Sequence, residues 1–329
     1  MKQYNYPKTL FIEIGTECNS RCKYCHMWMT KEHVGGLTTK EKIKIIRGFT
    51  KNNPNGKVVL TGGETMLKYD EFFILSKECL ALDLFCAANT NASLIDDKNL
   101  EKVLKEGPKY LVVSLDSHIE KIHDYSRGID EGFKHVIDVL GKLVKIKKRK
   151  KYKTEIITNS VIYDMNIDKI IDYIAFAENL GIDGCIFQMV SRTFFRKGAR
   201  DNFFEKHFFK NKKSALIWIQ EVIDVLGKHK IVRTTKQDFE WMKLYISNPD
   251  FIGEQVCGSH EKNVMVDSYG EIQLCFNMIN INSGKSLGNV RDFDYNICTA
   301  WNSDGANSVR SVMENCRLNC GMLNCHRKK

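Results

Sequence analysis

Short apolar runs rich in Ile, Val, Leu and Phe alternate along residues 9–190 with longer stretches of helical period. The runs 9–14 (TLFIEI), 57–61 (KVVLT), 84–88 (LFCAA), 110–115 (YLVVSL), 155–162 (EIITNSVI) and 185–190 (CIFQMV) predict strands. Between them, 38–51, 69–82, 96–106, 130–147 and 166–180 predict helices. In the last of these, Ile167, Ile170, Ile171 and Ile174 share one face, and Gly181 ends it. Strands that alternate with helices are parallel, because each crossover needs a helix to return the chain. Nearly continuous apolar strands are covered on both faces. The pattern therefore predicts an α/β fold; an open sheet and a barrel both satisfy it.

Beyond residue 191 the texture changes. Residues 192–213 are basic and aromatic, with Phe194, Phe195, Phe203, Phe204, Phe208 and Phe209, and a helix is predicted near 214–227. The aromatic spacing fits core packing or the wall of a cavity. Runs at 263–267 and 271–276 predict a hairpin turning at Ser268–Gly270. A boundary is expected between 230 and 256, dividing the chain into 1–235 and 236–329.

Composition narrows the class. Of 329 residues 43% are hydrophobic and 27% charged, which excludes a mostly disordered or collagen-like chain. No apolar run is long enough for a membrane helix, so no membrane partner is expected. The net charge of +10 is local: residues 142–153 carry eight Lys and Arg and no acid. Such a run is a solvated helix end or a landing site for an acidic partner. Only Tyr152 interleaves it, which argues against nucleic acid.

The chain has 12 Cys. The N-terminus lacks an apolar segment with a cleavage site, so a cytoplasmic setting with reduced thiols is expected. Cysteines there point to metal or redox chemistry rather than disulfides. Three lie together, Cys18-Asn-Ser-Arg-Cys22-Lys-Tyr-Cys25, directly after the first strand. Soft thiolates select zinc, copper or iron–sulfur clusters. Cys22-x-x-Cys25-His26 also matches the c-type haem pattern, which needs export. A zinc site completed by His26 or His33 and a [4Fe–4S] cluster with one open iron both stay possible from spacing alone. After the second strand comes Thr61-Gly62-Gly63-Glu64, where paired glycines let the backbone approach a ligand.

These residues, with Ser114-Leu-Asp116 and Asn159 at later strand ends, resemble the radical S-adenosylmethionine (radical SAM) superfamily over about residues 8–190. The resemblance implies a partial (β/α)6 TIM-type barrel with its active site at the strand carboxyl ends. It implies that Cys18, Cys22 and Cys25 ligate a [4Fe–4S] cluster whose open iron chelates S-adenosylmethionine. Reductive cleavage then yields a 5′-deoxyadenosyl radical that abstracts a substrate hydrogen, with an electron donor such as flavodoxin or ferredoxin as partner. By the same resemblance Gly62, Gly63 and Glu64 hold the methionine amino group and Tyr24 lies along the adenine. Ser114 and Arg127 contact the carboxylate, and Asn159 the ribose. Thr65 follows the Gly-Gly-Glu where many relatives have Pro.

Six cysteines lie from residue 257 onward. The run Gly270-Glu-Ile-Gln-Leu-Cys275 and the later Cys316, Cys320 and Cys325 resemble the SPASM/twitch extension of that superfamily, a small β-hairpin/helix iron–sulfur domain. This implies one auxiliary [4Fe–4S] cluster on Cys257, Cys275, Cys316 and Cys320, with Cys325 able to replace either of the last two; a four-thiolate zinc ribbon is the alternative. Cys79, Cys86, Cys185 and Cys298 read as small buried hydrophobes. Cys185, Cys298 or Cys325 as a hydrogen-atom donor is the sharper alternative. The expected substrate is a small polar molecule of sugar or cyclitol type, oxidised or epimerised. Peptide-modifying relatives often carry an N-terminal recognition domain, whereas 17 residues precede Cys18 here and four follow Cys325, which sets the alternative, a ribosomally made peptide, second. A metal-binding scaffold without catalysis is the third reading.

Overall fold

The computed structural model describes residues 5–30, 34–192, 202–250, 258–276 and 286–316. The chain runs β1 (Thr9–Gly15), α1 (Thr39–Lys51), β2 (Lys57–Gly62), α2 (Tyr69–Ala81), β3 (Phe85–Thr90), α3 (Leu100–Glu106), β4 (Tyr110–Ser114) and α4 (Glu120–Arg127). It continues with α5 (Gly132–Lys150), β5 (Glu155–Ile162), α6 (Ile170–Leu180), β6 (Gly184–Met189), α7 (Asn202–His207), α8 (Lys212–Val225) and α9 (Lys236–Ser247). Then come β7 (Asn263–Val266), β8 (Ile272–Gln273), α10 (Ile297–Trp301) and α11 (Asp304–Glu314).

The strands form one sheet in the order β6-β5-β4-β3-β2-β1-β7-β8. Neighbours from β6 to β1 pair in parallel, and helices return the chain between them. The sheet does not close among the described residues, as in a partial barrel. Beyond β6, Ile231–Arg233 covers the edge: Cys185 N donates to the Ile231 carbonyl and Arg233 N to the Cys185 carbonyl. On the other side β7 pairs in parallel with β1, from Thr9↔Asn263 to Ile12↔Val266. The C-terminal hairpin is thus built on the barrel sheet itself. It is shorter than its apolar run, because the Ile272 backbone also bonds to Leu287 and Gly288 and the Ser259 hydroxyl takes the Leu274 carbonyl.

Alternation sorts the strand residues into two faces. Leu10, Ile12, Val58, Leu60, Cys86, Ala88, Leu111, Val113, Ile156 and Phe187 are at most 1% exposed on the helix-covered face. The opposite parity places Glu13, Thr61, Asn89, Ser114, Asn159 and Gln188 on the inner face, toward the strand carboxyl ends. Phe11, Val59, Ala87 and Ile157 lie below them, so the mouth is polar and the floor apolar.

Several elements differ from the expected ones for local reasons. The helix expected from 96 begins at Leu100, because the Asn99 side chain accepts from Asp96 N and the Asp96 side chain from Lys98 N in a turn. A capping box of Thr38 and Glu41 sets the start of α1, and one of Thr235 and Asp238 starts α9, which the apolar pattern alone did not mark. Helix α4 is eight residues of mostly polar side chains, too short and too polar to stand out from the sequence. It is closed by Gly128 in the left-handed conformation.

Candidate active site

The segment after β1 carries Cys18, Cys22 and Cys25, and three neighbouring loops hold it. The first is the glycine loop after β2. Gly63 N donates to the Gly15 carbonyl at 2.9 Å and Glu64 N to the Glu17 carbonyl at 2.8 Å. A Cβ on Gly62 would collide with the Gly15 carbonyl, and one on Gly63 with the Glu17 carbonyl. Gly62 also has φ +127°, which favours glycine. The paired glycines therefore let the cysteine segment lie directly on the loop backbone.

The loop after β3 is the second hold. The buried Glu64 carboxylate accepts from Met66 N, from the Thr90 hydroxyl at 2.7 Å and from Asn91 N at 2.7 Å. Asn91 Nδ2 donates onward to Asn19 Oδ1 and Ser20 Oγ. Glu64, expected to meet a ligand amino group, thus also pins the glycine loop to the loop after β3. Burial pushes its carboxyl up.

The third hold comes from β4 and α4 and centres on Asp116, which has no exposed surface on its side chain. Its Oδ2 accepts from Tyr24 Oη at 2.8 Å and Ser126 Oγ at 2.7 Å. Its Oδ1 accepts from Arg127 Nη2 at 2.8 Å and Val161 N at 3.1 Å. Burial would raise this carboxyl, but the Arg127 charge and the hydrogen bonds from Ser126 and Arg127 outweigh it and hold it below the usual range. Burial pushes the His123 ring down to about 4, so it is neutral, and its Nδ1 accepts from Asp116 N. Lys23 N donates to the Ser126 carbonyl, and a Cβ on Gly128 would collide with the Arg21 carbonyl, so the end of α4 rests on the cysteine segment.

Arg127 connects this network to the thiols. Its Nη1 lies 3.9 Å from Cys22 Sγ, its guanidinium lies 5.5 Å from the Tyr24 ring centroid, and its buried Nε has no partner. Burial pushes the Cys22 thiol up to about 12 and raises Cys18 and Cys25 as well. At all three, Arg127 is a charge that favours the thiolate. No disulfide joins the described cysteines. His33 lies outside the described residues; among those described, no three His, Cys, Asp or Glu side chains converge on a single ion, as a tetrahedral zinc site requires. A [4Fe–4S] cluster spreads its iron over several positions and needs thiolates around a larger body. The donor set, one loop and one nearby cation fit the cluster better than the single ion.

Ser114 and Asn159 are direct neighbours across β4 and β5. Asn159 Oδ1 is buried without a partner. Ser114, Arg127, Asn91 and Ser20 line a cavity of about 150 Å³ whose far wall is His135 and the start of α5. A cavity of this size admits a small-molecule fragment. The structure thus brings Cys18, Cys22, Cys25, Glu64, Ser114, Arg127 and Asn159 to one end of the barrel. The Tyr24 hydroxyl is engaged with Asp116, and its ring packs edge-on against Phe203 at 5.7 Å.

In the C-terminal segment Cys275 is buried and Cys316 half-buried; Cys257, Cys320 and Cys325 lie outside the described residues. Phe276, next to Cys275, meets Phe11 of β1 edge-on at 4.9 Å, so this segment reaches the inner side of the sheet. Cys79, Cys86, Cys185 and Cys298 are buried. Phe203, Phe204 and Phe209 are buried, and Phe194 and Phe195 lie outside the described residues.

Two residues have no role assigned from the sequence. Asp116 closes the Ser114-Leu-Asp116 match, which marked its position but not its function. Glu13 lies within an apolar strand on the inner face, and a charge there was the signal available. Burial raises its carboxyl to about 7, with the Asp267 charge adding to the rise; Ser268 and Lys42 oppose it.

A family model described as the radical SAM superfamily matches residues 12–177. An AdoMet-dependent heme synthase of Oleidesulfovibrio alaskensis is 26% identical over 170 residues, 51% of this chain and 42% of that protein. A probable GTP 3′,8-cyclase of Thermococcus kodakarensis is 29% identical over 245 residues, 74% of this chain and 72% of that one. The chain spans less than half the length of the first two curated relatives it matches. Among solved structures, Streptococcus suis SuiB bound to S-adenosylmethionine superposes with a TM-score of 0.73 at 17% identity, covering 97% of this chain and 74% of that one. The protein anSMEcpe with bound AdoMet and a peptide has a TM-score of 0.66 at 17% identity, covering 92% and 82%.

Two predictions follow from the packing and the charges. Gly63→Ala is expected to destabilise the fold by about 1–3 kcal/mol in denaturant unfolding, because backbone must move. Gly141→Ala, where a Cβ meets nothing within 4 Å, is expected to be neutral or stabilising. Equal stability of the two variants would contradict the packing described. Glu13 keeps its proton in the fold up to about pH 7, against an ordinary value of 4.5. The folded state thus binds the extra proton between those values, and this group's contribution to stability falls as pH rises through them. The melting temperature of Glu13→Gln should therefore gain on wild type from about pH 5 to about pH 8. A constant difference across that range would contradict it.

Proposed function

The chain belongs to the radical SAM superfamily, and from that premise we propose that it cleaves S-adenosylmethionine reductively and abstracts a hydrogen atom from a polar substrate held in the barrel mouth. The observation that carries this reading is the segment Cys18–Cys25 set against Arg127, whose Nη1 is 3.9 Å from Cys22 Sγ. When bound, the cluster and S-adenosylmethionine supply the electron and the 5′-deoxyadenosyl radical. Cys18, Cys22 and Cys25 would hold the cluster. Arg127 Nε and Ser114 Oγ would take the carboxylate of the methionine moiety at the 150 Å³ cavity. Asn159 Oδ1 would accept from a ribose hydroxyl. Gly62, Gly63 and Glu64 would face the amino group while keeping the cysteine segment in place. Tyr24 would meet the adenine with its ring, its hydroxyl being fixed by Asp116.

The auxiliary part of the reading places a second [4Fe–4S] cluster in residues 236–329, on Cys257, Cys275, Cys316 and Cys320 or Cys325. The contact of Phe276 with Phe11 supports it, because it sets the Cys275 segment beside the inner face of β1. A small electron carrier such as flavodoxin or ferredoxin would be the partner. No described helix is long and apolar enough to cross a membrane.

For the substrate, the polar ring Glu13, Thr61, Asn89, Ser114, Asn159 and Gln188 supports a small hydroxyl-rich molecule that is oxidised or epimerised. A second reading, a ribosomally made peptide, is favoured by the architectures that superpose with the higher TM-scores. SuiB is described with a precursor peptide and anSMEcpe with a bound peptide, and both exceed the 0.52 of BtrN in complex with AdoMet and 2-DOIA.

Anaerobic reconstitution tests the proposal. About eight iron and eight sulfide per chain are expected, with release of 5′-deoxyadenosine from S-adenosylmethionine under a reductant. Replacing Cys18, Cys22 and Cys25 together by Ala should halve the iron and abolish release. Cys275→Ala should also lose iron but keep release. Bound zinc without any 5′-deoxyadenosine would overturn the enzyme reading.

A further inference from the structure

A cleft of about 450 Å³ opens at the amino-terminal ends of β3, β4 and β5, at the opposite end of the sheet from the cysteine segment. Its floor is apolar, with Leu84, Phe85, Leu104 and Pro108, and the partly exposed Leu80 stands at its edge. Its rim carries Lys105, Lys109, Lys151 and Lys153, all exposed, against one acid, Asp83. Other cations of the basic segment are already engaged: Lys142 with Asp97 and Asp138, Lys147 with Asp183, and Lys150 with Glu101. No ion pair is seen for the four rim lysines among the described residues.

Part of this charge has a local use. The helices α2, α3 and α5 all end here, and each carboxyl terminus carries about half a negative charge. Four ammonium groups against Asp83 and roughly one and a half helix-end charges still leave the cleft positive. The same helix ends disfavour a small anion seated in the floor, since carbonyls rather than N–H groups point there. Nucleic acid lacks stacking surfaces as well. Phe85 meets Tyr110 edge-on and has Lys57 Nζ 5.2 Å from its ring centroid, and the Tyr152 hydroxyl is tied to Glu101. A second copy of a chain with net charge +10 is repelled.

We propose that this cleft binds an acidic amphipathic peptide segment of a partner, whose apolar side chains enter the floor and whose carboxylates meet Lys105, Lys109, Lys151 and Lys153. The inference does not depend on what the barrel mouth modifies. An apolar floor with flexible cations at its rim matches alternating apolar and acidic side chains, because each kind meets its complement without burying a bare charge.

The test uses the full chain and a fluorescein-labelled synthetic peptide in which glutamate alternates with leucine, followed by fluorescence anisotropy. Saturable binding that weakens with added salt is expected. The double variant K109E/K153E, both positions exposed, should bind roughly tenfold more weakly while its circular dichroism stays that of wild type. Equal binding by wild type and variant would overturn the proposal. So would equal affinity for a polyglutamate of the same length, which would leave the apolar floor without a role. Tighter binding of an oligothymidylate that displaces the peptide would assign the cleft to nucleic acid instead.

Discussion

A single buried carboxylate, that of Asp116, ties the cysteine segment to the barrel. It accepts from Tyr24, Ser126, Arg127 and Val161, and so joins the first loop, helix α4 and strand β5 at one point. A fully buried carboxylate is stable only when paired and hydrogen-bonded, and here the four donors come from three different pieces of the site. Loss of one partner leaves a charge without compensation. The arrangement therefore couples the position of Arg127, beside the Cys22 thiol, to that of Tyr24 within the cysteine segment. What Asp116 does with charge, Gly62 and Gly63 do with space: they remove the side chains that would keep the two loops apart.

Much of the barrel was legible in the chain because the chemistry is local. Six apolar runs marked six parallel strands to within a residue or two, and the cysteines and glycines fell at strand ends where such folds place ligands. Helix α4 was not legible. It is short and polar, and its value lies in presenting Ser126 and Arg127 to Asp116, a relation across ten residues that no periodicity encodes. The pairing of β7 with β1 was also hidden, since the two strands are some 250 residues apart. That pairing is what brings the C-terminal segment to the inner side of the sheet. Glu13 escaped for the same reason: Asp267 and Ser268 reach it only once β7 is in place.

The two ends of the sheet carry different chemistry. The carboxyl ends collect thiols, the Arg127 cation and polar strand residues without partners, as in a site built for a cofactor. The amino ends collect helix termini and lysines over an apolar floor. The positive charge that dominates the composition belongs to this second end, away from the thiols, which separates the charge of the chain from its proposed radical chemistry.

The most direct test of the central claim is the electron paramagnetic resonance spectrum of the reduced, reconstituted protein before and after S-adenosylmethionine is added. If the segment Cys18–Cys25 holds a cluster with an open iron beside Arg127, the cofactor should change the signal. The change should be lost in Asp116→Ala, in which Arg127 and Tyr24 lose their common anchor. A wild-type cluster signal that S-adenosylmethionine leaves unaltered would contradict the account.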